Sequence, residues 1–123
     1  MEKITPIAIT TEGSDGSATG TGSSSYPVSG RVVGVHLDYS ASQAATTDVT
    51  ITAIDPDLPV LVVANNTTDG WYFPVTTANL NTDGSEVSGE VVRGVPVDGY
   101  LAVSVAGGND GETVTVTILV ERC

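Results

Sequence analysis

Alternation of apolar and polar residues with a period of two is the feature that most restricts what this chain can form. The clearest run is TVTVTILV at residues 113–120, where Val114, Val116, Ile118 and Val120 fall on one side. Successive side chains of a β-strand point to opposite faces, so this pattern predicts a strand with one buried and one exposed face. No stretch has a convincing helical period, and the chain is predicted to be all-β.

Residues 31–53 contain two more strands of this kind, separated by a loop of small residues. Val33, Val35, Leu37 and Tyr39 share one face of the first strand, and Val49, Ile51 and Ala53 share one face of the second. The loop SASQAATT, residues 40–47, is too short for a crossover helix and has nothing large enough to anchor a core. These features predict that the two strands pair as an antiparallel hairpin.

Turn residues separate the predicted strands along the whole chain. GGNDG at residues 107–111, for example, follows an alternating strand at residues 100–106 and predicts a hairpin turn, since Gly, Asn and Asp tolerate positive φ. The spacing indicates about seven to nine strands in a single domain over residues 1–123. The predicted fold is an antiparallel β-sandwich without significant helix, with a jelly roll as its more specific form.

The first thirty residues leave two choices open. Residues 1–11 contain Ile4, Ile7 and Ile9, but Pro6 interrupts the ladder, which indicates an edge strand or an N-terminal arm lying on a partner. Residues 12–30 are rich in Gly, Ser and Thr. They form either a weak strand, whose glycines mark a closely passing backbone, or a flexible linker.

The formal net charge of −11, from 15 acidic and 4 basic residues, restricts the kinds of partner. It argues against nucleic acid, because a phosphate backbone must be met by Lys and Arg, and against an anionic membrane surface. No apolar run approaches the ~20 residues that span a bilayer.

Cys123 is the single cysteine, so no internal disulfide is expected, and its role stays open. No signal-peptide pattern is visible, and synthesis in a cytoplasm is expected.

Residues that carry chemistry are scarce. His36 is the only histidine, no G-x-S-x-G nucleophile elbow occurs, and no glycine-rich phosphate loop opens a helix. The sequence therefore predicts no enzyme, no catalytic residue, no metal site and no cofactor. Two groups of turn residues offer oxygens for Ca²⁺ as a minor alternative: Asp55 with Asp57, and Asn109 and Asp110 with Glu112.

Three of the six aromatic residues occur together in Trp71-Tyr72-Phe73, just before Pro74. Two interpretations stay open: Trp71 and Phe73 plug the open end of the sandwich, or they anchor an interface. Residues 60–64 are apolar on both faces, which indicates a core on one side and a partner chain on the other. The candidate interface residues are Ile4, Ile7, Ile9, Val60, Val62, Trp71, Tyr72 and Phe73.

Residues 30–75 resemble a pattern found in small structural proteins of tailed bacteriophages. The shared features are a Val-rich strand ending in Asp38-Tyr39, TDVTI at residues 47–51, and DGWY at residues 69–72 leading to Pro74. The resemblance implies a capsid decoration (cement) protein with a jelly-roll or β-tulip fold. It also implies a homotrimer that sits on the capsid surface of the virion, over junctions between hexamers, with the major capsid protein as its partner.

Two other functions stay open beside non-enzymatic reinforcement of the capsid exterior. A virion fibre or host-recognition module would bind a ligand such as a glycan around Trp71 and Tyr72. A cell-surface adhesion domain is the third interpretation.

Overall fold

Twelve β-strands make up the regular structure in a computed structural model that describes residues 2–53, 58–79 and 86–122. No helix occurs among these residues, and hence none there is long and apolar enough to cross a membrane. The strands are β1 (Glu2–Lys3), β2 (Ile7–Thr10), β3 (Ala18–Ser23), β4 (Val28–Tyr39), β5 (Asp48–Ala53), β6 (Leu58–Val63), β7 (Gly70–Tyr72), β8 (Val75–Asn79), β9 (Glu86–Arg93), β10 (Val95–Gly99), β11 (Leu101–Gly108) and β12 (Thr113–Glu121).

Two antiparallel sheets share these strands. In the first sheet, β12 pairs with β4; β1 and β2 share the free edge of β12, while β10 and β7 share the free edge of β4. The second sheet has the order β3-β11-β5-β6. β8 and β9 pair with each other as a separate hairpin.

Each sheet is therefore four strands wide. Most connections between consecutive strands cross from one sheet to the other. Only β1 to β2, β5 to β6, and the path from β7 through the β8–β9 hairpin to β10 return to the same sheet. The N-terminal strands lie beside the C-terminal strand β12. This is the arrangement of a jelly roll, so the predicted antiparallel sandwich is confirmed. At one edge of the first sheet β1 and β2 lie end to end, and at the other edge so do β7 and β10. Counting each of these pairs as one strand gives eight strands in the two sheets, and the β8–β9 hairpin brings the total to about ten.

The predicted hairpin over residues 31–53 is wrong. β4 and β5 lie in opposite sheets and do not pair with each other, and the same holds for β11 and β12 on either side of the turn at residues 107–111. Alternation reveals which face of a strand is buried, and two strands facing each other across a core alternate in the same way as two strands paired in one sheet.

The crossing loop has no large apolar side chain to anchor a core, as predicted, but its buried Gln43 anchors it through hydrogen bonds. Its Oε1 accepts a hydrogen bond from the backbone N–H of Asn109 at 2.7 Å, and its Nε2 donates to Oγ1 of Thr11 at 3.3 Å. Three loops at one end of the sandwich are thereby held together. A buried amide needs such partners, since burying it without them is unfavourable.

The core lies between the two sheets and consists almost entirely of aliphatic side chains. It includes Ile4, Ile7, Ile9, Val28, Val32, Val35, Leu37, Val49, Ile51, Val60, Leu101, Val103, Val105, Val114, Val116, Ile118 and Val120. β4 changes phase at a bulge, because Leu119 pairs with Gly34 whereas Val120 pairs with Val32. Val33 is the extra residue, so Val32 takes the core position that the sequence assigned to Val33.

The structure decides both choices that were open for residues 1–30. β1 and β2 lie at the edge of the first sheet, and the isoleucines face the protein's own core instead of a partner. Residues 18–23 form the weak strand β3 and not a linker. A Cβ atom on Gly20 would lie 2.5 Å from the carbonyl oxygen of Thr10, so glycine here allows β2 and β3 to approach closely.

The two ends of the described chain meet at one edge of the first sheet. β1 pairs with the end of β12, with Glu2 opposite Val120. The guanidinium of Arg122 donates from Nε and Nη2 to the two carboxylate oxygens of Glu2, at 2.7 and 2.8 Å. This paired geometry fixes the relative position of residues 2 and 122.

Candidate functional site: an exposed aromatic face

Strand β7 determines where the aromatic cluster points. It pairs with the edge of β4, placing Tyr72 opposite Val35 and Trp71 opposite His36. Val35 belongs to the core, so residues opposite it face inward and their neighbours face outward. Trp71 therefore lies on the outer face of the first sheet, beside His36.

The rings of this cluster contact one another and cover the backbone of β4. His36 meets Trp71 edge-on, with ring centroids 5.1 Å apart and an interplanar angle of 61°. Trp71 and Phe73 stack at 6.4 Å and 13°. A Cβ atom on Gly34 would lie 3.5 Å from both the Trp71 and the Phe73 ring, so both rings lie over this glycine. We call His36, Trp71 and Phe73, with Gly34 beneath them, the aromatic face.

The aromatic face is open to solvent. Trp71 is 45% exposed and Phe73 is 67% exposed, and Val75, two residues farther along the chain, is 53% exposed. The interpretation of Trp71 and Phe73 as a plug in the sandwich is therefore wrong, because neither side chain belongs to the core. Contiguous exposed apolar side chains of this size are typical of binding surfaces.

Tyr72 has a different place from its two neighbours. Its ring packs against the core, and its hydroxyl accepts a hydrogen bond from Nδ2 of Asn66 at 2.6 Å. The same hydroxyl lies 3.1 Å from the carbonyl oxygen of Thr68, to which it donates. Tyr72 therefore holds the turn that precedes β7 and does not form part of the aromatic face.

Two carboxylates flank the Trp71 end of the aromatic face. Asp38 is exposed and occupies the next outward position of β4 after His36. Asp69, also exposed, precedes β7, and its Oδ1 accepts a hydrogen bond from the backbone N–H of Tyr39 at 2.8 Å. Neither Gly34 nor Asp38 is among the interface residues predicted from the sequence, although alternation along β4 places both on the face with His36.

Tyr39 lies behind this end of the face, in the core. The pKa of its phenol is raised to about 12, mainly by burial and to a smaller extent by the nearby Tyr72 and Asp69. Its buried hydroxyl has no hydrogen-bond partner among the described residues. Tyr39 is therefore a protonated core residue over the whole physiological pH range.

The other predicted interface residues separate into two groups. Ile4, Ile7, Ile9 and Val60 are buried in the protein's own core, so they offer no surface to a partner. Val62 is 61% exposed on β6, the edge strand of the second sheet, whereas the aromatic face belongs to the first sheet. The outer face of β6 is therefore exposed among the described residues, and the prediction of cover on both sides is not met.

The oxygens proposed for Ca²⁺ hold loops together instead. Asn109 Oδ1 accepts from the backbone N–H of Gly16 at 3.0 Å, and Asp110 Oδ1 accepts from that of Gly13 at 3.2 Å. Glu112 Oε1 accepts from Ser40 Oγ at 2.8 Å. Over residues 2–53, 58–79 and 86–122 no three His, Cys, Asp or Glu side chains come together as a metal site would need. Asp55 and Asp57 lie outside the described residues.

Comparisons of the chain with protein-family models, with curated proteins and with solved structures gave no match.

Proposed function

We propose that this protein is a non-enzymatic structural component of a virion that binds and stabilises the exterior of the capsid, as decoration (cement) proteins do. The observation that carries the proposal is the aromatic face, an exposed cluster of large side chains on the outside of a β-sandwich. The resemblance of residues 30–75 to small phage structural proteins supports the same assignment. The proposed partner is the major capsid protein.

A binding surface is useful for reinforcement only if it is rigid. The backbone of Trp71 pairs with β4, which in turn pairs along most of its length with β12. The inward side chains of β4 and β12 are buried in the core, so movement of the face would disturb that packing. Because such a face is already ordered, this protein loses little conformational entropy when a partner binds to it.

Trp71 is the side chain that we expect to contribute most to binding. Tryptophan is enriched among the few interface residues whose truncation weakens binding by 2 kcal/mol or more. The exposed part of its ring, together with that of Phe73, would become buried on contact, and aromatic side chains contribute through their large apolar area.

The proposal is tested with purified shells that lack the protein. The wild-type chain should co-sediment with the shells in a saturable manner, and Trp71→Ala should weaken that binding at least tenfold, or about 1.4 kcal/mol. Val62→Ala is the matched control, because it removes exposed apolar surface from the second sheet. It should leave shell binding unchanged, and both variants should keep the circular dichroism spectrum of the wild type.

Association of three chains belongs to the same proposal. Light scattering of the isolated protein should give three times the mass of one chain, and Trp71→Ala should not change that mass, since the face is assigned to the capsid. A protein that stays monomeric and does not bind shells would contradict the proposed function.

A host-recognition module that binds glycans is the second candidate, and one observation favours it. Exposed Trp71 and Phe73 lie beside polar His36, and exposed aromatic rings with polar neighbours are also suited to sugars, whose faces are apolar and whose rims carry hydroxyls. Glycan-array binding that disappears in Trp71→Ala, without shell binding by the wild type, would favour this candidate.

A further inference from the structure

We propose that the aromatic face receives a positively charged protein segment, with an arginine side chain stacked on Trp71 and paired with Asp38 and Asp69. This inference rests on the proposed function, because it specifies the chemistry of the capsid surface that would dock here. It concerns one end of the face, where aromatic and acidic side chains occur together.

The sheet register brings Asp38 within reach of the same ligand as Trp71. Trp71 lies directly opposite His36 on β4. Its diagonal neighbours on this face of β4 are Gly34 and Asp38, and diagonal neighbours in a sheet lie about 7–8 Å apart, with their Cβ atoms somewhat closer. One guanidinium is therefore large enough to contact the indole ring and the Asp38 carboxylate together.

Asp69 supplies the second carboxylate in a fixed position. Its Oδ1 accepts the backbone N–H of Tyr39, the residue that follows Asp38, at 2.8 Å. The other oxygen, Oδ2, accepts no hydrogen bond among the described residues, and the residue is exposed. An incoming cation would thus meet a carboxylate already oriented by the end of β4.

Charge selects a cationic partner over the alternatives. Lys3 lies opposite Leu119 on β12, which pairs with Gly34, and Arg31 lies opposite Glu121 beyond it, so these basic side chains are at the Gly34 end of the face or past it. Asp38 and Asp69 make the other end negative. With a net charge of −11, the chain would also repel a second copy of itself or an acidic segment at this place.

Arginine suits the site better than lysine. Its guanidinium is planar, stacks on aromatic rings and pairs with carboxylates through two parallel hydrogen bonds. A cation over an indole face is attracted by the ring quadrupole, more strongly than over phenylalanine. Lysine would keep the charge but lose the stacking and the paired geometry.

Intrinsic fluorescence tests the proposal directly, because Trp71 is the only tryptophan in the chain. The probes are three end-capped pentapeptides, used at low salt, in which three glycines alternate with two identical charged residues. The charged residue is arginine in the first peptide, lysine in the second and glutamate in the third. The arginine peptide should change the emission of Trp71 saturably. The lysine peptide should bind several-fold more weakly, and the glutamate peptide should not bind.

Charge-neutral variants locate the binding site. Asp38→Asn and Asp69→Asn should each raise the dissociation constant of the arginine peptide at least threefold. Asp98→Asn is the matched control, since this exposed aspartate pairs with Ser29 near the far end of β4, roughly 25–30 Å along the strand. It removes the same charge and should change the constant by less than a factor of 1.5.

Equal responses to the arginine and glutamate peptides, or equal effects of Asp38→Asn and Asp98→Asn, would overturn this inference. Neither result affects the proposed function if shells are still bound through Trp71. Conversely, specific binding of the arginine peptide without any binding to shells would support the cation site and contradict the assignment to a capsid.

Discussion

At the scale of single residues, Tyr39 and Asp69 connect the core to the surface. The backbone N–H of Tyr39 donates to Asp69, which lies at the edge of the aromatic face, while the phenol of Tyr39 lies in the core. Burial favours the neutral phenol, which is why the pKa rises to about 12. Tyr39 therefore contacts the core through its side chain and the edge of the aromatic face through its backbone.

The pKa of Tyr39 predicts that the protein loses stability at alkaline pH. In the unfolded chain a tyrosine releases its proton near pH 10, whereas in the folded chain Tyr39 keeps it until about pH 12. Stability from this residue is complete below pH 10 and falls as pH rises from 10 to 12, by roughly 2–3 kcal/mol. Urea unfolding at several pH values should show this loss.

Tyr39→Phe is the control for the alkaline transition. Phenylalanine keeps the ring and cannot ionise, so the variant should lose that part of the dependence on pH between 10 and 12. An unchanged slope in Tyr39→Phe would show that other groups cause the transition.

At the scale of secondary-structure elements, the close contact of β2 with β3 closes one side of the sandwich. The two strands belong to different sheets, and the approach depends on the absence of a side chain at Gly20. The opposite side of the sandwich has edge strand β6 in the second sheet and β7 and β10 at the edge of the first. The aromatic face lies at this edge, on the outer face of the first sheet.

Adding one methyl group at this contact should destabilise the fold. A Cβ atom at position 20 would lie 2.5 Å from the backbone oxygen of Thr10, which cannot move aside as a flexible side chain would. Gly20→Ala should therefore lower the free energy of unfolding by about 1–3 kcal/mol, as overpacked interiors do. Chemical denaturation measures the change.

Gly34→Ala is the matched comparison within another strand. Its new Cβ would meet Trp71 and Phe73 at 3.5 Å, an ordinary contact distance, and alanine is preferred to glycine inside a strand by about 0.5–1 kcal/mol. This variant should be as stable as the wild type or slightly more so. Similar destabilisation by both substitutions would contradict the explanation given for Gly20.

The elements also show what alternation in the sequence can and cannot predict. Alternation correctly identified the buried faces of β5, β11 and β12, because each side chain's environment repeats every second residue. It did not predict that β4 pairs with β12, since that choice depends on contacts between residues far apart in the chain. The aromatic cluster was evident from composition, but its position beside His36 and Asp38 follows from the pairing of β7 with β4.

At the scale of the whole molecule, the charge is the dominant feature. Fifteen acidic residues and four basic ones give the surface a strong excess of negative charge. Mutual repulsion of these charges opposes the compact state, and it is reduced when salt shortens the range of the interaction. Stability therefore depends on ionic strength as well as on the core.

Raising sodium chloride from about 0.05 to 0.5 M should increase the melting temperature by a few degrees, because the range of the repulsion falls severalfold. Differential scanning calorimetry at constant pH measures the shift. A double variant at exposed positions, Glu12→Gln with Asp98→Asn, should show a smaller shift since less repulsion remains to be screened. A melting temperature independent of salt in both proteins would contradict this view of the surface.

The ion pair between Glu2 and Arg122 has a consequence for engineering. Because these two residues touch, a few added amino acids would suffice to join them into a continuous backbone, and new termini could be opened at an exposed loop elsewhere. A permuted chain of this kind would carry fused cargo away from β1 and β12 while leaving the order of strands in space unaltered.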